Sequence, residues 1–221
     1  MLGVQLAQIL SEASLSLFVR QAAAIALKKY VRKRWSIFFD TFTQDMVVNG
    51  IVQTVDATPV EAKEHIRTSL LACLCDAEPK VRSQASDILS LISSCDFPDH
   101  FPQLLPTLQA YLHSYAEQDA HAAYKVHGAM KFLLDLVHVE LDENQLLMAA
   151  QQLVPLLQGI VSSSSDWITP HTRARCINVF HQCLISLYMA KDTYVDTVHM
   201  VTTHYLPPWL QGMQVLSLIH I

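Results

Sequence analysis

Four times along the chain, a side-chain pair is followed by the same helical stripe: Val19-Arg20, Val81-Arg82, Val126-His127 and Thr172-Arg173. Counting three, six, seven and ten residues beyond the second member gives Ala23, Ala26, Leu27, Tyr30; Ala85, Ile88, Leu89, Ile92; Met130, Leu133, Leu134, Val137; and Cys176, Val179, Phe180, Cys183. Steps of three and four hold side chains on one face of an α-helix, so each segment is a helix with one face turned inward. Recurrence of one pattern makes the chain an array of helical units rather than a single irregular core. The second and third intervals between the pairs are 45 and 46 residues. Both fall within the roughly 40–47 residues of two-helix solenoid repeats of the HEAT or armadillo kind. The first interval, 62 residues, requires an insertion.

Each stripe is followed, after a short polar or proline-bearing break, by a second amphipathic segment: Pro59–Cys75, Phe101–Tyr115, Glu143–Val161 and Tyr194–Val215. Three of these share Leu104-Leu105-Pro106, Leu153-Val154-Pro155 and Tyr205-Leu206-Pro207, which suggests a common helix start or bend. The expected fold is therefore all-α, a right-handed α-solenoid of about four to five HEAT-type helical pairs. Asp99 is the expected N-cap after the break Asp96-Phe97-Pro98-Asp99, with Pro102 in the first turns. Thr169-Pro170 reads as an N-cap followed by proline at the first helical position. The insertion Ser36–Thr58, with Asn49-Gly50 and no clean helical period, is expected to be a short helix or irregular loop. Leu2–Leu10 resembles an inner helix without its outer partner, and Ser217–Ile221 ends without a polar cap, so a fragment that associates or dissolves poorly is expected.

Scarce glycine and a 51% apolar composition exclude disordered and collagen-like chains. The five cysteines, Cys73, Cys75, Cys95, Cys176 and Cys183, lie in apolar helical contexts without CxxC spacing and read as reduced, buried thiols suited to cytosol or nucleus. No secretory leader and no membrane span is expected. The net charge of −5 hides an asymmetry: +5 through Trp35 and −10 over the rest, a surface suited to basic protein partners.

Sites of chemistry do not emerge. His199 with His204, and Asp96, Asp99 and His100, lack ligand spacing on one helix face, so no metal and no cofactor is expected. Ser162–Ser165 has no nucleophile elbow, neither Cys73 nor Cys176 has an activating neighbour, and no glycine-rich phosphate loop occurs. No catalytic residue is assigned, and the serine run reads as a connector open to phosphorylation. The basic run Lys28–Arg34 reads as cations complementing a helix C-terminus, with Tyr30 and Trp35 packing inward, in preference to a nuclear localisation or nucleic-acid patch.

Val19-Arg20-Gln21-Ala22-Ala23, running on through Leu27-Lys28-Lys29-Tyr30-Val31 to Trp35, resembles the N-terminal motif of the importin-β (karyopherin) family of nuclear transport receptors. Further similarity runs through Val81-Arg82-Ser83, Asp96-Phe97-Pro98, Phe101-Pro102-Gln103-Leu104 and Val126-His127-Gly128-Ala129-Met130, although Phe97 and Phe101 stand where that family usually has tryptophan. On this resemblance residues 1–35 are the importin N-terminal-like segment, 36–58 an atypical insertion or loop, and 59–221 HEAT repeats with the last incomplete. The motif residues are Arg20, Gln21, Ala22, Ala23, Lys28, Tyr30 and Trp35. The resemblance implies that first helices form a convex face, and that second helices line a concave one holding the small GTPase Ran in its GTP form and cargo. It also implies basic cargo such as histones and ribosomal proteins, contact with nucleoporins, no direct nucleic acid, and shuttling between cytoplasm and nucleus. Polar residues expected on the second helices for Ran or cargo contact are Glu61, Glu64, Arg67, Gln103 and Gln109. The alternative is a HEAT scaffold outside transport, such as a regulatory subunit.

Overall fold

The computed structural model describes the backbone of residues 1–42, 45–48, 51–54, 57–117, 120–137, 143–189, 192 and 195–211. The chain divides into two compact units, Met1–Phe97 and Pro98–Ile221. In the first, helices α1 (Leu2–Ser11) and α3 (Val60–Cys73) make one layer and α2 (Leu17–Arg34) and α4 (Pro79–Asp96) the other. Each of α2 and α3 packs on both α1 and α4. Leu10, Leu27, Val31, Ile66, Leu70, Ile88 and Ile92 fill the space between, all removed from solvent. The second unit repeats the plan. Helices α5 (Leu104–His113) and α7 (Glu143–Ser162) form one layer, and α6 (Ala120–Val137) and α8 (Pro170–Met189) the other. This paired-helix packing is the HEAT-type, all-helical fold that the stripes predict.

The stripes themselves are the core. All four members are buried in α4 and in α8, and Met130 and Leu133 are buried in α6. In α2 Ala23 and Leu27 are buried, while Ala26 and Tyr30 are half-buried. At the start of α8 the Thr172 amide donates to Thr169 Oγ1 at 3.3 Å, so Thr169 caps the helix and Pro170 takes its first position.

Four expectations are corrected. Within Ser36–Thr58 there is neither helix nor irregular loop over Asp45–Thr54: strand β1 (Asp45–Val48) pairs antiparallel with β2 (Ile51–Thr54), Val48 opposite Ile51. The two runs are rich in valine, isoleucine and threonine and are separated by two residues, Asn49-Gly50, the composition that favours a tight hairpin. Beyond the hairpin, Thr58 returns the chain to α2, its amide and Oγ1 both donating to Arg34 O at 3.0 and 2.9 Å. Second, Asp99 is not an N-cap. Residues 97–103 are turns, and α5 begins only at Leu104, with Gln103 at the cap position. Phe101 precedes Pro102 and is thereby biased out of the helical region, and its ring is buried. Third, the recurrent prolines do not share a place. Pro106 lies in the first turn of α5, whereas Pro155 is inside α7. The last segment, expected as one helix over Tyr194–Val215, is a short helix α9 (Val195–Met200), a π-turn (Val201–Tyr205) and a helical stretch at 206–211. Trp209 from that stretch stacks on Phe180 of α8, ring centroids 4.2 Å apart. Ser217–Ile221 lies outside the described residues.

Cys73, Cys176 and Cys183 are buried, Cys75 and Cys95 half-buried, and all five are free thiols. Burial pushes the first three thiols up to about 12, because a thiolate loses its hydration in the core. The native state thus retains protons that the unfolded chain gives up. The stabilisation this provides is complete below the ordinary thiol value of 9.0 and is lost as pH rises towards about 12. A thiol reagent at pH 8 should modify Cys75 and Cys95 in the native protein and reach the other three only on unfolding; equal rates at all five would refute this packing.

Candidate interaction faces

Arg20, in the second turn of α2, is 3% exposed. Its Nε donates to Leu10 O in the last turn of α1 at 2.8 Å, and its Nη2 makes an ion pair with Asp76. Arg82, at the equivalent place in α4, donates from Nη1 to Asp76 O at 2.5 Å and to Ala77 O at 2.9 Å, just beyond the end of α3. Arg173 in α8 donates to Ser163 O at 2.7 Å, just beyond α7. The repeated arginine therefore has one physical role. It brings a fixed cation to the carbonyl-rich end of the preceding helix, where backbone acceptors lack partners and the dipole is negative. His127 fills the slot in α6 with a shorter side chain and instead meets Thr172 Oγ1, 3.4 Å from Nδ1.

Lys28, Tyr30 and Trp35 of the motif also make contacts within the unit. Lys28 bridges to Asp87 of α4 at 3.3 Å. Tyr30 Oη lies 3.0 Å from Thr58 Oγ1, and its ring lies so close to Gly3 of α1 that a Cβ there would sit 2.5 Å from Cε1. Trp35 is 1% exposed and donates from Nε1 to Asp96 Oδ2 at 2.9 Å. Gln21 is half-buried and Ala22 exposed. Asp96 also lies 3.8 Å from Arg67 Nη2, and the guanidinium of Arg67 and the ammonium of Lys63 both stand over the Trp35 ring, at 5.9 and 5.1 Å. One carboxylate at the end of α4 thus joins α2, α3 and α4. Sequence reading placed Asp96 in a break and missed this; the pairing spans 61 positions, so no local spacing records it.

Arg67 is correspondingly not on the solvent face expected for it. It is 3% exposed, enclosed by Trp35, Asp96 and Glu64. Glu61 and Glu64 are exposed on α3 beside His65 and Thr68, forming a polar stripe opposite the buried one. Gln103 is exposed at the start of α5; Gln109 is half-buried and reaches Gln152 of α7, Nε2 to Oε1 3.4 Å. Helix α5 carries no Asp, Glu, Lys or Arg, so Glu61 and Glu64 supply the charge among the expected contact residues that remain accessible. Phe97 and Phe101, the two phenylalanines in tryptophan positions, are both buried. No helix among the described residues is long and apolar enough to cross a membrane.

Helices α1, α2 and α3 lie within residues 2–76, the stretch that matches a known family. Residues 2–76 match the importin-beta N-terminal domain family. The chain is similar to importin subunit beta-5 of Schizosaccharomyces pombe, 29% identical over 87% of this chain and 18% of the relative. Importin-9 of Drosophila melanogaster is 25% identical over 84% of this chain and 16% of its own length, and exportin-2 of the same organism 26% over 46% and 9%. Among solved structures, Lph2, a bidirectional nuclear transport receptor of Saccharomyces cerevisiae, superposes with a TM-score of 0.65 at 14% identity, over 97% of this chain and 23% of that one. The chain spans less than a fifth of the length of these curated relatives.

Replacing Asp96 leaves the buried guanidinium of Arg67 and the indole N–H of Trp35 short of an acceptor. Asp96→Ala should lower the unfolding free energy in urea by about 3 kcal/mol, and Asp96→Asn, which keeps a carbonyl for Trp35, by about half as much. A loss below about 0.5 kcal/mol for Asp96→Ala would show that this carboxylate does not join the three helices.

Proposed function

We propose that the chain is part of a nuclear import receptor that binds Ran-GTP and basic cargo through the solvent faces of α3, α5 and α7. The match of residues 2–76 to the importin-beta N-terminal domain family carries this reading. Exposure of Glu61 and Glu64 on the outer side of α3 supports it, while Arg67 is buried. Gln103 and Gln109 are neutral positions of the same set, and Gln109 already spends one bond on Gln152.

Transport in one direction needs two ligands that weaken each other. If Ran-GTP and cargo favour different arrangements of the helical pairs, or share surface on them, each lowers the affinity of the other by the same free energy. Cargo then loads where Ran-GTP is scarce and leaves where it is abundant, which takes the receptor between cytoplasm and nucleus past nucleoporins. The charge of −10 beyond Trp35 favours basic cargo such as histones and ribosomal proteins, by speeding encounter in a salt-sensitive way.

Pull-down of this chain on immobilised Ran should retain it with GTP loaded and much less with GDP. Glu61→Lys with Glu64→Lys should weaken retention by at least about fivefold, or ~1 kcal/mol, without loss of helical signal. Equal or absent retention on both nucleotide forms would defeat the transport reading and leave a HEAT scaffold of another class.

A further inference from the structure

The solvent face of α2 is not accounted for by folding or by the proposed Ran and cargo faces. Phe18, Ala22, Ile25, Lys29 and Arg32 follow one another at steps of three and four, with Lys33 beside them, and so lie along one side of the helix. The buried residues Arg20, Ala23, Ala24, Leu27, Val31 and Arg34 occupy the opposite side. Phe18 is 80% exposed and Ile25 55%, values that isolated surface residues reach singly but that are here aligned on one stripe. Lys29, Arg32 and Lys33 are exposed and form no ion pair with a described carboxylate, whereas Lys28 on the flank is held by Asp87. Complementing the helix dipole explains cations in the last turn only, and Lys29 lies outside that turn.

We propose that this face is a docking surface for an acidic peptide segment with aromatic or aliphatic anchors. The stripe from Phe18 to Lys33 is about 22 Å long, an apolar half followed by a cationic half. Carboxylates of the segment meet Lys29, Arg32 and Lys33, while its anchors cover Phe18 and Ile25. Charge complementarity selects an acidic partner, and the apolar half selects a peptide over a nucleic acid, since an isoleucine offers no face for base stacking. The contact uses neither Glu61 nor Glu64, so it stands independently of Ran binding.

Fluorescence anisotropy with a labelled synthetic peptide of about 15 residues, rich in glutamate with leucine and phenylalanine every third or fourth position, tests this directly. The expected result is binding that weakens with salt, and that falls at least about tenfold when the anchors become alanine or when the chain carries Lys29→Glu, Arg32→Glu and Lys33→Glu together. Phe18→Ser with Ile25→Ser should weaken the same probe, and Lys80→Glu, exposed on α4, should not. All variants replace solvent-facing side chains, and unchanged circular dichroism verifies their folding. Three outcomes overturn the proposal: binding indifferent to these variants, equal binding of single-stranded DNA, or no peptide binding with self-association of the chain abolished by Phe18→Ser and Ile25→Ser.

Discussion

The first unit depends on a guanidinium that is almost entirely out of water. Arg20 takes the last carbonyl region of α1 on one side and the carboxylate of Asp76, beyond α3, on the other. Removing such a charge from solvent is unfavourable unless every partner is in place, so the interaction fixes where α1 ends and where the chain turns from α3 into α4. Asp76 is tied from both directions, since its backbone carbonyl accepts from Arg82 and its Oδ1 accepts from the Glu78 amide at 2.9 Å. Once these groups are joined, the apolar stripes of α2 and α4 can close over α1 and α3 without leaving helix ends unpaired.

A division of labour follows for the first unit. The side chains by which the family pattern is recognised, Arg20, Lys28, Tyr30 and Trp35, are bonded within the unit and set the spacing of its helices. Exposed polar and apolar side chains lie elsewhere, on the Glu61 and Glu64 face of α3 and the outward stripe of α2. The motif side chains Arg20, Lys28, Tyr30 and Trp35 therefore serve as scaffold for the first unit.

Much of the fold was legible because helical packing writes itself at steps of three and four. Ala85, Ile88, Leu89 and Ile92, or Cys176, Val179, Phe180 and Cys183, needed no partner to be recognised as core, and Thr169-Pro170 marked a helix start from two residues. What escaped was either non-local or ambiguous. Arg67 has the spacing of a surface residue, and its burial is decided by Trp35 and Asp96, 32 and 29 positions away in the chain. Asp99 had the chemistry of a cap, but the burial of Phe101 and the constraint of Pro102 delayed the helix to Leu104. Around Asn49-Gly50 the hairpin signal was present, and the surrounding helical array obscured it. The candidate contact residues were least legible, because an exposed glutamate reads alike whether it meets a partner or water.

A double-mutant cycle on Arg20 and Asp76 tests most directly whether this buried pair organises the first unit. Unfolding free energies in urea would be compared for Arg20→Ala, Asp76→Ala and the double variant. The account predicts a loss of about 3 kcal/mol or more for Arg20→Ala and a coupling energy of at least about 1 kcal/mol between the two sites. Losses that add to within about 0.5 kcal/mol would contradict it, and would mean that the ion pair accompanies the packing of these helices without determining it.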